Sequence, residues 1–284
     1  RRPAGYVVQK LSVFITTFNN EETLSACLES VGFADEVVVL DSFSTDATVT
    51  IAERAGAIVH QHQFLGYGRQ KQLALDHTTH PWVLFLDADE MLSTEVVDEI
   101  RARLANDTLG ANDTTGYELK RIEQVFWRMS GDRTRKNYYT RLFHRNAAEF
   151  SEMRVHATVV VEGRVERLTH GFYHFGEASI HIKVDKINGY SSGLVLDKVS
   201  KGRRPSAWTM VFYPPLFFVR SFIFKRGFTN GWAGFIASVV ATFYVFLKYA
   251  KLYEHKRFED KGVENMPAGA PALRSPDERF NNPV

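Results

Sequence analysis

Trp82-Val83-Leu84-Phe85-Leu86-Asp87-Ala88-Asp89-Glu90 is the stretch whose reading decides the fold. Five apolar residues in a row after Pro81 read as a strand buried on both faces. The strand breaks off in acids, which sets carboxylates at the edge of a sheet, where open α/β folds bind ligands. Asp87 and Asp89 are two apart, so a strictly extended strand aims both to one side. Carboxylates held that close repel one another. A hard cation, Mg²⁺ or Mn²⁺, itself held by a substrate's phosphates, relieves the repulsion. For an isolated Asp-x-Asp the plainer reading is a strand end running into a solvated acidic helix start.

The flanking chain favours the first reading. Residues 11–15 form a short apolar strand and residues 16–20 a polar loop, with Asn19 as helix N-cap and Glu22 three places on. Leu24, Cys27, Leu28 and Val31 make one helical face, so Cys27 is a core residue rather than a nucleophile. Residues 37–40 give a second buried strand ending in Asp41, then a turn and a helix stopped by Gly56. Residues 58–60 are a third strand, and a helix around residues 70–75 leads to the central one. Ser93 or Thr94 caps a further helix that buries Val96, Val97, Ile100 and Leu104. Strands alternating with helices predict a parallel, doubly wound sheet. Thr17, Asn19, Asp41, Asp87 and Asp89 then converge on one crevice past the carboxyl ends of the strands. Lys71 reaches a phosphate from the same side, and Gly66 and Gly68 permit close backbone approach. A turn-forming Asp such as Asp41 is as readily structural as functional. Taken together, though, these residues describe a nucleotide-diphosphate site.

Composition sets the limits. A chain of 284 residues buries a sizeable core, and a net charge of +2 gives no argument for nucleic acid. Cys27 is the sole cysteine, which excludes an internal disulfide and a cysteine-rich zinc site and fits a reducing compartment. Residues 1–10 are polar and do not read as a signal peptide.

The middle of the chain carries a weakly alternating strand at 116–121, a basic surface loop at 127–136 and a strand at 141–145. Residues 159–168 read as a hairpin turning at Gly163. His156 and His174 lack the paired spacing of a zinc site. Arg128, Arg133, Arg135 and Lys136 suit a phosphorylated or acidic acceptor, or equally a solvated charged face. Residues 179–200 are helical. Residues 207–224 are apolar and aromatic, interrupted by Pro214-Pro215, and residues 231–247 are uncharged and bounded by Lys248 and Lys251. Each run is at or below the roughly 20 residues a spanning helix needs, and the double proline argues further against one. Aromatic helices flanked by Lys and Arg suit the headgroup boundary of an anionic leaflet; a dimer interface and a re-entrant or spanning pair are the alternatives. The expected division is residues 1–178, a helical membrane-associating region at 179–261, and a disordered tail at 262–284.

Four segments stand in a telling order: Ile15-Thr16-Thr17-Phe18-Asn19, Val39-Leu40-Asp41-Ser42-Phe43-Ser44-Thr45-Asp46, Gly66-Tyr67-Gly68-Arg69-Gln70-Lys71 and Leu86-Asp87-Ala88-Asp89-Glu90. They resemble the family 2 glycosyltransferases, closest to the subgroup with the glucosyltransferases of the lipopolysaccharide inner core. The resemblance covers nearly the whole chain, from about Leu11 to Glu254. It implies a GT-A, Rossmann-like fold with a mostly parallel sheet and a C-terminal membrane-associating helical region. By that resemblance Asp41 contacts the nucleobase or ribose, Asp87 approaches the ribose, and Asp89 holds Mg²⁺ or Mn²⁺ on the diphosphate. Arg141 and His156 belong to segments near the acceptor. Phe43 replaces a residue that is usually Gly, and Asn20 stands where an acid is common. The processive members' Gln-x-x-Arg-Trp is absent, which implies single transfer.

The expected function is a metal-dependent, inverting transfer of one sugar to a lipid-linked acceptor, the lipopolysaccharide core, at the cytoplasmic face of the bacterial inner membrane. One departure weighs against it. Where the family reads Val-His-Glu, this chain reads Val155-His156-Ala157, and a methyl group accepts no proton. Either another carboxylate serves as base, with Glu152 favoured, or the chain is a nucleotide-sugar binder without transferase activity, or Ala157 is an inactivating replacement. A phosphatase built on Asp-x-Asp fits poorly, because its acids belong on the first strand with a Thr after them.

Overall fold

The computed structural model describes residues 9–151, 158–176, 179–200, 202 and 206–259. Glu152, His156, Ala157 and the expected tail lie outside the described residues. The chain divides into two compact units: Arg1–Glu123 with Lys136–Gly176, and Gln124–Arg135 with Glu177–Val284.

The first unit opens as an alternation of strand and helix: β1 (Leu11–Thr17), α1 (Leu24–Val31), β2 (Glu36–Asp41), α2 (Thr48–Arg54), β3 (Ile58–Gln61), α3 (Tyr67–Asp76) and β4 (Trp82–Asp87). The four strands lie in the order β3-β2-β1-β4, all parallel. Successive residues serve opposite faces of the sheet. Val13, Ile15, Leu84 and Leu86 join the core under α1, while Phe14, Val83 and Phe85 pack on the side of α3. That is why the strands read as unbroken apolar runs. Phe14 stacks on Phe85 at 5.4 Å, and Phe150 meets Phe85 edge-on at 5.1 Å.

The rest of the unit is mixed rather than parallel. It comprises β5 (Glu90–Leu92), α4 (Thr94–Ala105), β6 (Thr114–Val125), β8 (Asn137–His144), β9 (Ala148–Phe150), β10 (Val159–Val161) and β11 (Arg164–His174), while β7 (Arg128–Met129) falls in the second unit's segment Gln124–Arg135. The sheet continues β4-β8-β6-β11-β5, with β8 antiparallel to both its neighbours and β5 antiparallel to β11. No crossover helix separates β6 from β8, so the chain doubles back and pairs antiparallel.

Three local expectations need correction. Residues 159–168 are not a hairpin: β10 pairs with β9, and β11 pairs with β6. Gly163, at φ 99°, turns the chain from one sheet to the other. Asn19 does not cap α1, which follows Thr23 with no side-chain cap. Instead Asn19 adopts φ 51° and its Oδ1 accepts the Thr45 N–H at 2.8 Å. The 127–136 loop includes β7, paired with the end of β6. Ser93 caps α4 as expected, its hydroxyl accepting the Val96 N–H.

The second unit contains α5 (Ile180–Ser200), α6 (Ala207–Val219) and α7 (Gly231–Glu259). Pro214 and Pro215 lie inside α6 and do not interrupt it. Proline forfeits a hydrogen bond, but its fixed φ is helical. A wider turn over Arg220–Phe224 continues the helix. The first apolar run is the expected Ala207–Phe224 and the second extends to Gly227–Arg257; at 18 and 31 residues both are long and apolar enough to cross a membrane. α7 lies against both other helices. Tyr213 meets Tyr249 at 5.9 Å, and a Cβ on Gly234 would stand 2.0 Å from the Gly227 carbonyl oxygen.

Candidate active site

Strand register assembles the site. Thr17 pairs with Asp41 across β1 and β2, and Thr16 pairs with Asp87 across β1 and β4, so three strands end side by side. At this edge lies a cleft of about 330 Å³, lined by Thr17, Phe18, Asn20, Ser42, Phe64, Tyr67, Gln70, Lys71, Asp87, Asp89 and His174. A larger cavity of about 670 Å³ lies at the opposite, amino end of β4, but it lacks this gathering of acids and cations.

The expected residues take different stations. Thr17, Lys71, Asp87 and Asp89 come together in the cleft. Asp41 is fully buried behind its wall. Its carboxylate accepts the Ser44 N–H at 2.9 Å, the Ser44 hydroxyl, and the Gln61 Nε2–H at 2.9 Å. It thereby builds the turn that presents Ser42. Asn19 braces the same turn from outside, its N–H donating to Ser44 Oγ at 2.8 Å. Asn20 is the one that reaches the cleft, with Oδ1 accepting from the Thr17 hydroxyl at 3.0 Å.

Asp87 and Asp89 face different partners. β4 ends at Asp87, and the chain turns before β5. Lys71 Nζ stands 2.6 Å from Asp87 Oδ1, and Arg141 Nη2 3.6 Å from Oδ2. Burial pushes the Asp87 carboxyl up, but these two cations outweigh it and hold it at about 2. Arg141 also pairs with Glu90 at 2.5 Å and lies over the Phe85 ring at 4.2 Å. Glu90 is 1% exposed; burial and the neighbouring Asp87 push its carboxyl up to about 7 against the pull of Arg141.

Asp89 faces a different partner. His174 Nε2 lies 3.5 Å from Asp89 Oδ2, and His174 Nδ1 lies 2.8 Å from Glu123 Oε2. Burial works against charging His174, yet the hydrogen bonds with Asp89 and Glu123 raise it to about 10. Arg121 completes the row, 2.5 Å from Glu123 Oε1. Among the described residues no three His, Cys, Asp or Glu side chains form a metal cage. Of these side chains the Asp89 carboxylate is the one that would offer oxygen to a divalent cation, with the remaining ligands drawn from a bound diphosphate, while the protonated His174 donates to Asp89 and Glu123 and is no ligand. Both Asp87 oxygens already face cations.

A second cleft of about 540 Å³ shares Tyr67, Lys71 and Asp87 with the first. Arg141 lines it, with Glu118, Arg121, Tyr138 and Tyr139. Arg167 covers the Tyr138 ring at 4.3 Å, and Arg121 covers Tyr139 at 4.4 Å. Sequence reasoning missed His174 as a site residue. The signal appears only in the sheet, where His174 pairs with Glu90 across β11 and β5. It also missed the aromatic rim, in which Phe18, Phe64 and Tyr67 are each about half exposed.

An α/β unit with a polar, aromatic-rimmed crevice at the carboxyl ends of parallel strands belongs to the nucleotide-binding class of folds. The chain is more specific than that. The family profile "Glycosyl transferase family 2" matches residues 12–158, and the chain belongs to that family. It is a glycosyltransferase with a GT-A-like fold. An uncharacterized glycosyltransferase of Rickettsia felis is 33% identical over 87% of this chain and 90% of its own length. The lipopolysaccharide core biosynthesis glycosyltransferase LpsC of Rhizobium meliloti is 31% identical over 86% of this chain and 92% of its own. Among solved structures, S. aureus TarS 1-349 in complex with UDP matches at 18% identity and a TM-score of 0.43, covering 92% of this chain and 95% of that one.

Proposed function

We propose that this glycosyltransferase moves one sugar from a nucleoside-diphosphate donor to a lipid-linked saccharide of the lipopolysaccharide core, with inversion, at the cytoplasmic face of the bacterial inner membrane. The observation that carries the reading is the meeting of two clefts at Lys71 and Asp87, one holding Asp89 and His174 and the other walled by tyrosines and arginines. The name of the Rhizobium relative supports the acceptor class, and the apolar α6 and α7 support a lipid-borne one.

In this reading the base lies among Phe18, Phe64 and Tyr67, and Thr17, Asn20 and Ser42 supply polar contacts. Mg²⁺ or Mn²⁺ held at Asp89 would offset negative charge on the departing diphosphate, and the protonated His174 beside it adds a positive charge at the same edge. Lys71 adds a positive charge at the same edge and holds Asp87 in place. The acceptor hydroxyl oxygen attacks the anomeric carbon, the bond from that carbon to the phosphate oxygen breaks, and the nucleoside diphosphate leaves with its electron pair. The hydroxyl proton passes to a carboxylate base, which we assign to Glu152.

The test measures donor binding by calorimetry, and sugar transfer from a panel of nucleotide sugars to extracted core lipid. Asp89→Asn should lower cation-dependent donor affinity more than tenfold with the fold intact. Full transfer by that variant, or by wild type in chelator, would overturn the cation assignment. Glu152→Gln should cost roughly 10²–10⁴-fold in rate with donor affinity unchanged. A large gain from Ala157→Glu would remove Glu152 from that role. Donor binding without transfer to any acceptor would favour the binder reading, to which Ala157 in place of an acid points.

A further inference from the structure

The second unit gathers its cations at one place. From Ser206 to Lys251 the chain carries no acid, and its basic residues before Lys248 are Arg220, Lys225 and Arg226, around the turn that joins α6 to α7. Onto this turn folds Gln124–Arg135, which adds Arg128, Arg133 and Arg135. Asn230 is the clasp. It is 4% exposed, and its Oδ1 accepts the Gly131 N–H at 3.0 Å and the Thr134 hydroxyl at 3.2 Å. Thr134 Oγ1 also lies 2.9 Å from Thr229 Oγ1, and the Arg135 N–H donates to the Lys225 carbonyl at 3.3 Å. All six cations are exposed, and Asp132 is the one acid in the two segments. Beside them Trp127, Phe224 and Trp232 are 63%, 70% and 77% exposed.

We infer that this composite patch binds the phosphate headgroups of an anionic bilayer and holds α6 and α7 in the plane of one leaflet. The inference rests on the proposed membrane reading and adds where and how the chain grips the surface. Exposed tryptophans beside arginines match the headgroup level of a bilayer, where an aromatic ring keeps one end apolar and one wet. The cations gain from the leaflet's negative potential. From the patch, exposed apolar side chains run along both helices at one-face spacing: Trp208, Phe212 and Leu216 on α6; Trp232, Val239 and Phe243 on α7. Such a stripe suits acyl chains and distinguishes the surface from a nucleic-acid groove.

The in-plane orientation follows from what holds α7. Near its start, Asn230 is tied to Gln124–Arg135, a short polar excursion between β6 and β8. Toward its other end, Lys251 Nζ donates to the Asn188 carbonyl and Oδ1, each at 2.7 Å, and to Ser192 Oγ at 2.8 Å, all on α5. From Asn230 to Lys251 is about 30 Å of helix, the thickness of a bilayer core. Both ends of α7 are thus fastened to polar segments of its own unit, which suit the water–lipid boundary rather than the bilayer core.

The experiment adds the full-length chain to the outside of sealed vesicles, either phosphatidylcholine alone or phosphatidylcholine mixed with phosphatidylglycerol. Wild type should bind the anionic vesicles far more tightly, and added salt should weaken that preference. Replacing Arg128, Arg133 and Arg135 together by Gln should lower anionic-vesicle affinity about 100-fold, roughly fivefold per cation. Donor binding by the same variant, read by calorimetry, should be unchanged, which shows that it is folded. Asn230→Ala should weaken anionic binding in the same direction by freeing the loop. With Phe228→Cys, an impermeant maleimide should label from outside the vesicles. Equal affinity of wild type for both vesicles, or unchanged affinity of the triple variant, overturns the patch. Labelling of Phe228→Cys only from the lumen overturns the in-plane orientation. These readouts need no turnover, so failure of the proposed sugar transfer leaves them standing.

Discussion

The two clefts meet at Asp87, and removing its charge has a cost that the geometry sets. Lys71 Nζ lies 2.6 Å from one carboxylate oxygen and Arg141 Nη2 3.6 Å from the other. Burial alone would raise the pKa; the two cations bring it from 3.8 to about 2. That fall corresponds to roughly 2.5 kcal/mol. The side chain is 35% exposed, and solvent screening leaves about 1 kcal/mol of it. Because the folded pKa is the lower one, this stability is present above pH 3.8 and is lost as the pH falls through 2. Urea unfolding of Asp87→Asn, Lys71→Met and the double variant, at neutral pH in chelator, closes a double-mutant cycle. The expected coupling is about 1 kcal/mol, with Lys71→Met costing less once Asp87 is neutral. The gap between wild type and Asp87→Asn should also narrow as the pH is lowered from 4 toward 2. Additivity within about 0.3 kcal/mol, or a gap that acid leaves unchanged, would refute the argument.

Two further outcomes follow from buried and strained residues. Cys27 is fully buried; burial first, then the carboxylates of Glu90, Asp87 and Asp89, hold its thiol well above the usual range. Iodoacetamide should therefore leave the folded chain unlabelled and modify it once on unfolding, and fast labelling of folded protein would contradict this. Phe43 adopts φ 63° with its ring 51% exposed, a left-handed conformation that costs a side-chain-bearing residue about 1–2 kcal/mol. Phe43→Gly should raise stability by up to about 1 kcal/mol after the entropy of the unfolded glycine is deducted, while Phe43→Ala should not, as thermal unfolding of the two would show.

Much of the fold is legible in the sequence, because buried parallel strands have only one composition. Residues 37–40 and 82–86 are apolar throughout, and 11–15 are but for Ser12, since helices cover both faces of their sheet. The second half of the sheet is less legible. Gly163 reads as a hairpin turn from its neighbours alone, and only long-range pairing shows β11 beside β6. The acids at the ends of strands were visible, but their partners were not. Asp41 reads equally as a turn former and as a ligand contact, and only the fold shows Gln61 and Ser44 on its oxygens. His174 carries no local signal, because its neighbours in sequence are not its neighbours in space. The double proline misleads for a physical reason: proline is a poor helix residue on average, yet its φ is helical, and α6 absorbs the lost hydrogen bonds.

Asp-x-Asp invites a two-carboxylate cation site, and charge counting in the cleft argues for a different arrangement. Asp87 is neutralised by Lys71, and Glu90 by Arg141, so neither offers free negative charge. Asp89 is left to face the cleft, 39% exposed, with His174 beside it. One carboxylate beside an imidazolium makes a weak site for a hard cation, which prefers six or more oxygens. The donor's diphosphate must supply the rest, so cation and donor bind as linked ligands. Calorimetry with Mn²⁺ alone should give an affinity at least tenfold weaker than with a nucleoside diphosphate present, and the diphosphate should gain by the same factor from Mn²⁺. The same linkage should vanish in Asp89→Asn, whereas Asp87→Asn should keep it. Tight Mn²⁺ binding without diphosphate, or linkage lost in Asp87→Asn and kept in Asp89→Asn, would restore the two-carboxylate site.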